Sequence, residues 1–411
     1  MTVVPLHAAT FPYKDAAALE AALDRLAVEI RYNVRGGRGE MRRDGGDWRE
    51  MTDRSTADLR REIAATFEYK VAKGSAPLHF GQQSWDLWTN ALFHHAEVDP
   101  FREWLEARPQ WDGVRRIRQW LADVFDLEAE ADPLAKWTAS FIFLGPVERA
   151  YRPGAKLDEM PVLIGSQGCG KSTALRLALP PEHPAWFADG LHLAASPKER
   201  AEALLGRVIV EAAEMAGSTR AELESLKSFL SRTDDGSVRL AYRRNPETML
   251  RRSVIVGTSN DPACLPNDAT GLRRFVPVVI AGGDPAALRA YLAGNRDQLW
   301  AEAVTLHRDR KCARLPEDLA PRQRVATEAA RRRDDILEDQ LAVWLDGLAE
   351  RDRPFTLAYA AQGVGLVHDV SAAPRLHMRD QRRLGAALTS AGYEKRREMS
   401  AGRRRYVWVR T

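Results

Sequence analysis

The chain has 411 residues, 45% of them hydrophobic and 29% charged, with a net charge of +4 and a pI near 9.0. That balance fits a globular protein of two or three domains and excludes a fibrous or low-complexity chain. No run approaches the ~20 apolar residues that span a bilayer, no signal-peptide pattern opens the sequence, and the three cysteines are far apart without CxxC spacing. A cytoplasmic protein without zinc site or disulfide framework is expected, with no membrane partner.

Residues 1–95 read as a small α+β module. It holds a helix from Asp15 to Ile30, a hairpin signalled by the turns at Asn33–Gly39 and Asp44–Trp48, and a helix from Thr56 to Phe67. Asp44 and Asp47 flank two glycines, the mark of a solvated turn and not of a metal site. The module offers no DxD pair of the kind a primase needs, so priming is expected from another chain. Residues 96–155 read as a helical segment, with Trp104, Trp111, Ile117, Trp120, Phe125 and Trp137–Leu144 at helical spacing. A tryptophan stripe of this kind fills a core.

Residues 156–330 alternate short apolar runs with helices, the signature of an α/β domain with a parallel sheet. Near its start, Gly165-Ser166-Gln167-Gly168-Cys169-Gly170-Lys171-Ser172 fits the phosphate-binding P-loop pattern GxxxxGK[ST] at every fixed position. The run Pro161–Ile164 before it reads as a buried strand, and Thr173–Leu179 after it as a helix. In such a loop the glycines let backbone N–H groups curl round phosphates, Lys171 reaches the β and γ oxygens of ATP, and the Ser172 hydroxyl holds Mg²⁺. The start of the helix adds its partial positive charge.

Three later elements narrow the class. Arg207–Glu211 is an apolar run ending in an acid, placed to present a carboxylate to Mg²⁺ or to the attacking water. Glu214 either supplies a second carboxylate or sits on a surface helix. Ser253–Asn260 reads as a strand with a polar tip, and the Asn260 amide suits holding a water in line with the γ-phosphate. Arg273 and Arg274 follow a glycine turn and precede the run Val276–Ile280. Such arginines stabilise charge in phosphoryl transfer, especially when a neighbouring subunit supplies them. Between these, Lys227 opens a basic segment in which Thr233–Ser237 reads as a turn before a strand-like Val238–Tyr242.

Residues 331–411 read as a helix at Ile336–Leu348, a helix at Arg379–Ser390 and two strands at Tyr393–Arg397 and Arg403–Val409, an order like that of a winged helix. Arg379, Arg382 and Arg383 share a helix face, and Arg403, Arg404 and Arg405 lie on the hairpin. These make a candidate duplex-DNA surface, with a solvated arginine-rich face as the alternative.

The order of P-loop, acidic strand, Asn-tipped strand and Arg pair resembles the AAA+ ATPases, more narrowly the superfamily 3 helicases. Closer still, the chain resembles the virulence-associated protein E family of phage, prophage and plasmid replication proteins over roughly residues 98–310. The matching blocks include Trp111-Asp112-Gly113, Arg149-Ala150, Leu226–Arg232, Gly257–Asn260, Thr270–Phe275 and Asn295–Ala303. Two departures stand out: Leu272 replaces the family's usual Asn, and Glu211 lacks an adjacent acid.

The resemblance implies a homo-oligomeric ring, expected to be a hexamer, with ATP and Mg²⁺ between subunits. Lys171, Ser172 and Glu211 would act from one side, Arg273 or Arg274 from the next, and Asn260 would sense the γ-phosphate. It also implies a hairpin facing the pore, where Lys227, Arg239, Tyr242, Arg243 and Arg244 would meet single-stranded DNA. The implied function is an ATP-dependent DNA helicase or replication initiator of a mobile element in a bacterial host cell, with a separate primase as partner. The competing readings are an NTPase switch that remodels a protein in packaging or defence, and a nucleotide-dependent DNA-binding regulator that does not unwind.

Overall fold

Val28, Ile30 and Tyr32 alternate with polar neighbours, and they form a strand where the sequence reads as the end of a helix. The computed structural model describes residues 10–125, 127, 132–191, 197–213, 220–238, 247–265, 272–330, 336–349, 354–367, 378–400 and 403–410. It opens with β1 (Thr10–Phe11) and α1 (Ala16–Arg25), whose first turn is capped by the Asp15 carboxylate accepting the Ala18 N–H at 2.9 Å. The helix stops at Arg25, not Ile30, because Ala27 takes a left-handed φ of 50° and turns the chain into β2 (Val28–Asn33). A hairpin follows as expected: β3 (Arg38–Arg43) pairs with β2 in register, and β4 (Arg49–Glu50) adds to β3.

Next come α2 (Asp53–Thr66) with a Thr52/Ser55 capping box, β5 (Glu68–Val71), β6 (Gly74–Pro77), α3 (Gln82–His95) and β7 (Glu97–Val98). Strand orders are β4-β3-β2-β7 and β1-β5-β6. Leu19, Ile63, Trp85 and Phe93 are among the residues these elements bury in one core.

Arg35, in the turn between β2 and β3, ties this module to the larger sheet. Its guanidinium clasps Asp99 with bonds of 2.8 and 2.9 Å and donates to the carbonyls of Arg207 (3.0 Å) and Arg252 (2.9 Å). Arg252 adds a bond of 3.1 Å to the same carboxylate. Burial pushes the Asp99 pKa up, but the charge and hydrogen bonds of Arg35 outweigh it and hold the carboxyl below its ordinary value.

The helical segment comprises α4 (Pro100–Glu106), α5 (Trp120–Val124) and α6 (Pro133–Tyr151). Pro133 and the Asp132 cap start α6, which then buries nearly every residue, as a helix apolar on all sides must. Trp104, Trp120 and Trp137 of the tryptophan stripe are core, whereas Trp111 is only half-buried and lies outside it. Trp300 meets Phe101 edge-on at 5.3 Å and Phe143 at 4.8 Å. The Trp120 indole donates to the Ala139 carbonyl at 2.9 Å, and the Trp300 indole to that of Ala178 at 2.8 Å.

The larger sheet is built from β8 (Met160–Ile164), followed by α7 (Lys171–Leu177), then β9 (Phe187–Ala188), α8 (Pro197–Leu204) and β10 (Ile209–Ala212). After α9 (Arg220–Leu230) a side hairpin of β11 (Asp234–Val238) and β12 (Glu247–Leu250) precedes β13 (Val254–Ser259) and β14 (Phe275–Val279). The five strands are parallel in the order β14-β8-β13-β10-β9. Leu163 and Val256 face the core that contains α6 and α10 (Pro285–Arg308), while Met160, Val162, Ile164 and Ile255 face the one built with Leu226 and Phe229 of α9. Burial on both faces explains why these strands read as continuous apolar runs. α11 (Ala320–Ala329) closes this unit.

The turn expected at Thr233–Ser237 is a correction: Asp234–Val238 is strand, bulged between Asp234 and Ser237. The strand is fixed there by Arg251, which is fully buried and donates to the Asp235 carboxylate at 2.7 Å and to the Phe229 carbonyl at 2.6 Å.

Residues 331–411 form a separate compact unit. It contains α12 (Ile336–Asp346), α13 (Leu357–Gly363), α14 (Met378–Ser390), β15 (Tyr393–Ser400) and β16 (Arg403–Arg410). Leu341, Phe355, Leu384, Leu388 and Trp408 contribute to its own core. Helix α13 is additional to the two expected, and the hairpin strands pair from Tyr393↔Arg410 to Ser400↔Arg403. Among the described residues no helix is long and apolar enough to cross a membrane.

Candidate functional site

The glycine-rich loop 165–170 joins the end of β8 to the start of α7, and neighbouring strands clamp its first residue. The Gly165 N–H donates to the Ser259 carbonyl at 3.1 Å, and a Cβ on Gly165 would lie 2.6 Å from the Ile280 carbonyl oxygen. Glycine is required there by close approach. Gly168 and Gly170 have φ of 81° and 101°, in the region that side chains disfavour.

Lys171 is buried under this loop with all three ammonium protons committed: to the carbonyls of Gly165 (2.8 Å) and Ser166 (2.9 Å) and to Asn260 Oδ1 (2.9 Å). One residue on, the Ser172 hydroxyl donates to Glu211 Oε1 at 2.7 Å, and the Thr258 hydroxyl donates to the same oxygen at 2.6 Å. Glu211 Oε2 is buried with no hydrogen-bond partner among the described residues.

These groups line a cavity of about 270 Å³, together with Gln167, Gly168, Gly170, Thr173 and Ala213. Gly165, Ser166 and Cys169 build the loop, Cys169 being buried with its sulfur 3.7 Å from Lys171 Nζ. With Ser259, which also lines it, the described part of the cavity offers one cation, four hydroxyls, a carboxylate with a bare oxygen and two amides, at the carboxyl ends of parallel strands where open α/β sheets bind ligands. The strands that carry them rest on Arg149, which reaches the carbonyls of Ser253 and, at 3.0 Å, Leu157. Burial and then the nearby Arg251 charge push its pKa down to about 9.

The sequence-expected residues Lys171, Ser172, Glu211 and Asn260 thus come together. Thr258 was missed as a site residue. Its signal is register: Glu211 sits opposite Val256 in the parallel pair, so the residue two further on shares its face.

The arginine pair lies elsewhere. Arg273 and Arg274 form a short 3-10 turn ahead of β14, held by the Gln323 amide donating to the carbonyls of Leu272 (3.1 Å) and Phe275 (2.7 Å). Because Phe275 pairs with Met160, this turn sits at the end of the sheet opposite the loop. Arg274 Nε donates to Ser231 Oγ at 2.9 Å, whereas Arg273 is exposed and has no hydrogen-bond or ion-pair partner among the described residues.

Lys227 is a correction. It is 4% exposed on the inner side of α9, beside the buried Leu226, Phe229 and Leu230, so it does not offer surface charge to DNA. Glu214, Arg239, Tyr242, Arg243 and Arg244 lie outside the described residues. Arg379, Arg382 and Arg383 fall on α14, and Arg403, Arg404 and Arg405 on β16, with side chains outside the described set.

A family model of the virulence-associated protein E-like domain matches residues 105–334. The chain belongs to that family. In this virulence-associated protein E-like chain, two distant sequence blocks interlock. The Asp112 carboxylate clasps Arg116 at 2.8 Å, the Asp112 N–H donates to Gln298 Oε1 at 2.9 Å, and Arg116 Nε donates to Asn295 Oδ1 at 3.0 Å. Glu302 Oε2 accepts the N–H groups of Arg116 (2.7 Å) and Ile117 (2.9 Å).

Among solved structures the chain is similar to the apo structure of the NrS-1 C-terminal region, at 12% identity over 97% of this chain and 100% of that one, with a TM-score of 0.46. It is also similar to the JCV helicase at 17% identity over 52% of this chain and 60% of that one, with a TM-score of 0.25. No curated protein matches.

Proposed function

We propose that this chain is a P-loop ATPase of the AAA+, superfamily 3 type that works as a DNA helicase or replication initiator of a mobile element. The observation that carries the reading is the convergence of blocks far apart in sequence on one cavity: Lys171 on Asn260, and Ser172 and Thr258 on Glu211. A nucleotide's β and γ phosphate oxygens replace the carbonyls and amide that now hold the Lys171 ammonium. That exchange frees the Asn260 side chain to orient a water.

The residues fit Mg²⁺. Ser172 and Glu211 supply hard oxygens, Glu211 keeps one buried oxygen bare, and a Mg²⁺ site of this kind is completed by phosphates and water. Held by Ser172 and Glu211, the ion would supply positive charge against the β and γ phosphates. Glu211 then serves as ligand or as acceptor of the attacking water's proton.

Arg273 belongs to the site of a neighbouring subunit in this reading. It is exposed, has no partner among the described residues and sits at the end of the sheet opposite its own loop, whereas Arg274 is spent on Ser231. Between β11 and β12 the sequence holds Arg239, Tyr242, Arg243 and Arg244, a mix of charge and aromatic suited to a single strand in a ring's pore. Unit 331–411, whose described residues form three helices and a hairpin rich in arginine, is read as a winged-helix-like duplex binder. A hexamer in the host cytoplasm, with priming by a separate chain, completes the proposal.

The test is displacement of a labelled strand from a forked duplex with ATP and Mg²⁺. Unwinding that stops when ATP is replaced by a non-hydrolysable analogue supports the reading. DNA-independent turnover with no displacement overturns the helicase part and favours action on a protein.

A further inference from the structure

We propose that Thr258 is a positioning residue for Glu211, an inference that rests on the ATPase reading of the site. In the strand Val254–Ser259 every residue is buried and most are apolar, yet Thr258 directs its hydroxyl to Glu211 Oε1 at 2.6 Å. Ser172 reaches the same oxygen at 2.7 Å from the start of α7. Donors from two different elements therefore meet on one carboxylate oxygen.

That convergence decides the orientation of the group. The terminal torsion of a glutamate is broad and roughly two-fold, so a single donor leaves the carboxylate free to pivot. Two donors commit Oε1 and leave Oε2 buried with no partner among the described residues, on a side chain that lines the cavity. A bare buried carboxylate oxygen is costly in an empty site. It becomes useful when a cation or a water's proton arrives, because the acceptor is then already aimed. Thr258 touches neither nucleotide nor ion in this account and acts only through Glu211.

The test compares wild type, Thr258→Val and Thr258→Ser in two measurements. The first is the affinity of a fluorescent ATP analogue with and without Mg²⁺, and the second is steady-state ATP hydrolysis. Valine keeps the branched shape and removes only the donor; serine keeps the donor and removes only the methyl. For Thr258→Val the gain in affinity on adding Mg²⁺ and the kcat should each fall by about 10- to 100-fold, as for the loss of a group that orients a metal ligand. Affinity without Mg²⁺ should stay at the wild-type value, and Thr258→Ser should restore both losses.

A valine variant with wild-type Mg²⁺ gain and kcat overturns the proposal. So does a serine variant as impaired as valine, because the methyl group's packing would then be the cause. If wild type itself binds no nucleotide, the reading of the site fails first and the role of Thr258 falls with it.

Discussion

Replacing Arg273 with alanine removes an exposed guanidinium that has no partner among the described residues, so the fold should be unaffected. Turnover should nonetheless fall by about 10³-fold or more, the range associated with an arginine supplied in trans to a phosphoryl-transfer site. The sheet geometry sets the argument. The pairing of Phe275 with Met160 places the arginine turn at the start of β8, and the loop begins only after Ile164. At about 3.3 Å per strand residue those ends are roughly 13 Å apart, too far for this arginine to meet a γ-phosphate held by its own Lys171.

Arg274→Ala should behave differently. It breaks the 2.9 Å bond to Ser231, which should cost about 1–2 kcal/mol and lower the melting temperature with a smaller effect on turnover. The assay is ATP hydrolysis alongside analogue binding for each variant, followed by mixing Arg273→Ala with Lys171→Ala subunits. Mixed rings rebuild some interfaces with both residues intact, so partial recovery is expected. Wild-type turnover by Arg273→Ala refutes the reasoning, as does absence of recovery in oligomers shown to be mixed.

Asp99→Asn should cost about 3–5 kcal/mol near pH 7, since it leaves the buried Arg35 facing a neutral amide. The Asp99 pKa is depressed in the folded chain, so its stabilisation is present above the ordinary Asp value of about 3.9 and is lost as pH falls through the folded value. The variant should lose less stability than wild type on acidification. Denaturant midpoints at neutral and acid pH check both statements, and an unchanged neutral midpoint contradicts them. A chain ending at Ala330 should keep DNA-independent ATP hydrolysis, because every cavity residue precedes it. Its duplex binding should show a shallower salt dependence, by about 0.9 in log–log slope per lost phosphate contact. Equal slopes for the truncated and full chains contradict a duplex-binding role for residues 331–411.

The loop, Lys171, Ser172, Glu211 and Asn260 were legible because each belongs to a fixed local pattern: glycines with positive φ before the start of a helix, an acid in an apolar run, an amide at a polar strand tip. Thr258 was not, because its role depends on how β10 and β13 align, which no local pattern reveals. The helix read through Ile30 failed for a similar reason: Leu26 to Ile30 keeps apolar residues near helical spacing, and only the left-handed Ala27 separates helix from strand. The seven residues of α13 are too few to show periodicity. The polar Thr233–Ser237 looked like a turn because the buried Arg251 that pairs Asp235 into a strand comes from well downstream.

Hydrolysis of ATP by wild type and Lys171→Ala in the presence of Mg²⁺ tests the central claim most directly. Among the described residues Lys171 is the one cation lining the cavity, and three hydrogen bonds hold it where phosphates would sit. The account predicts turnover by wild type and loss to background in the variant, with both proteins equally folded by circular dichroism. A variant that hydrolyses ATP at the parent rate contradicts it.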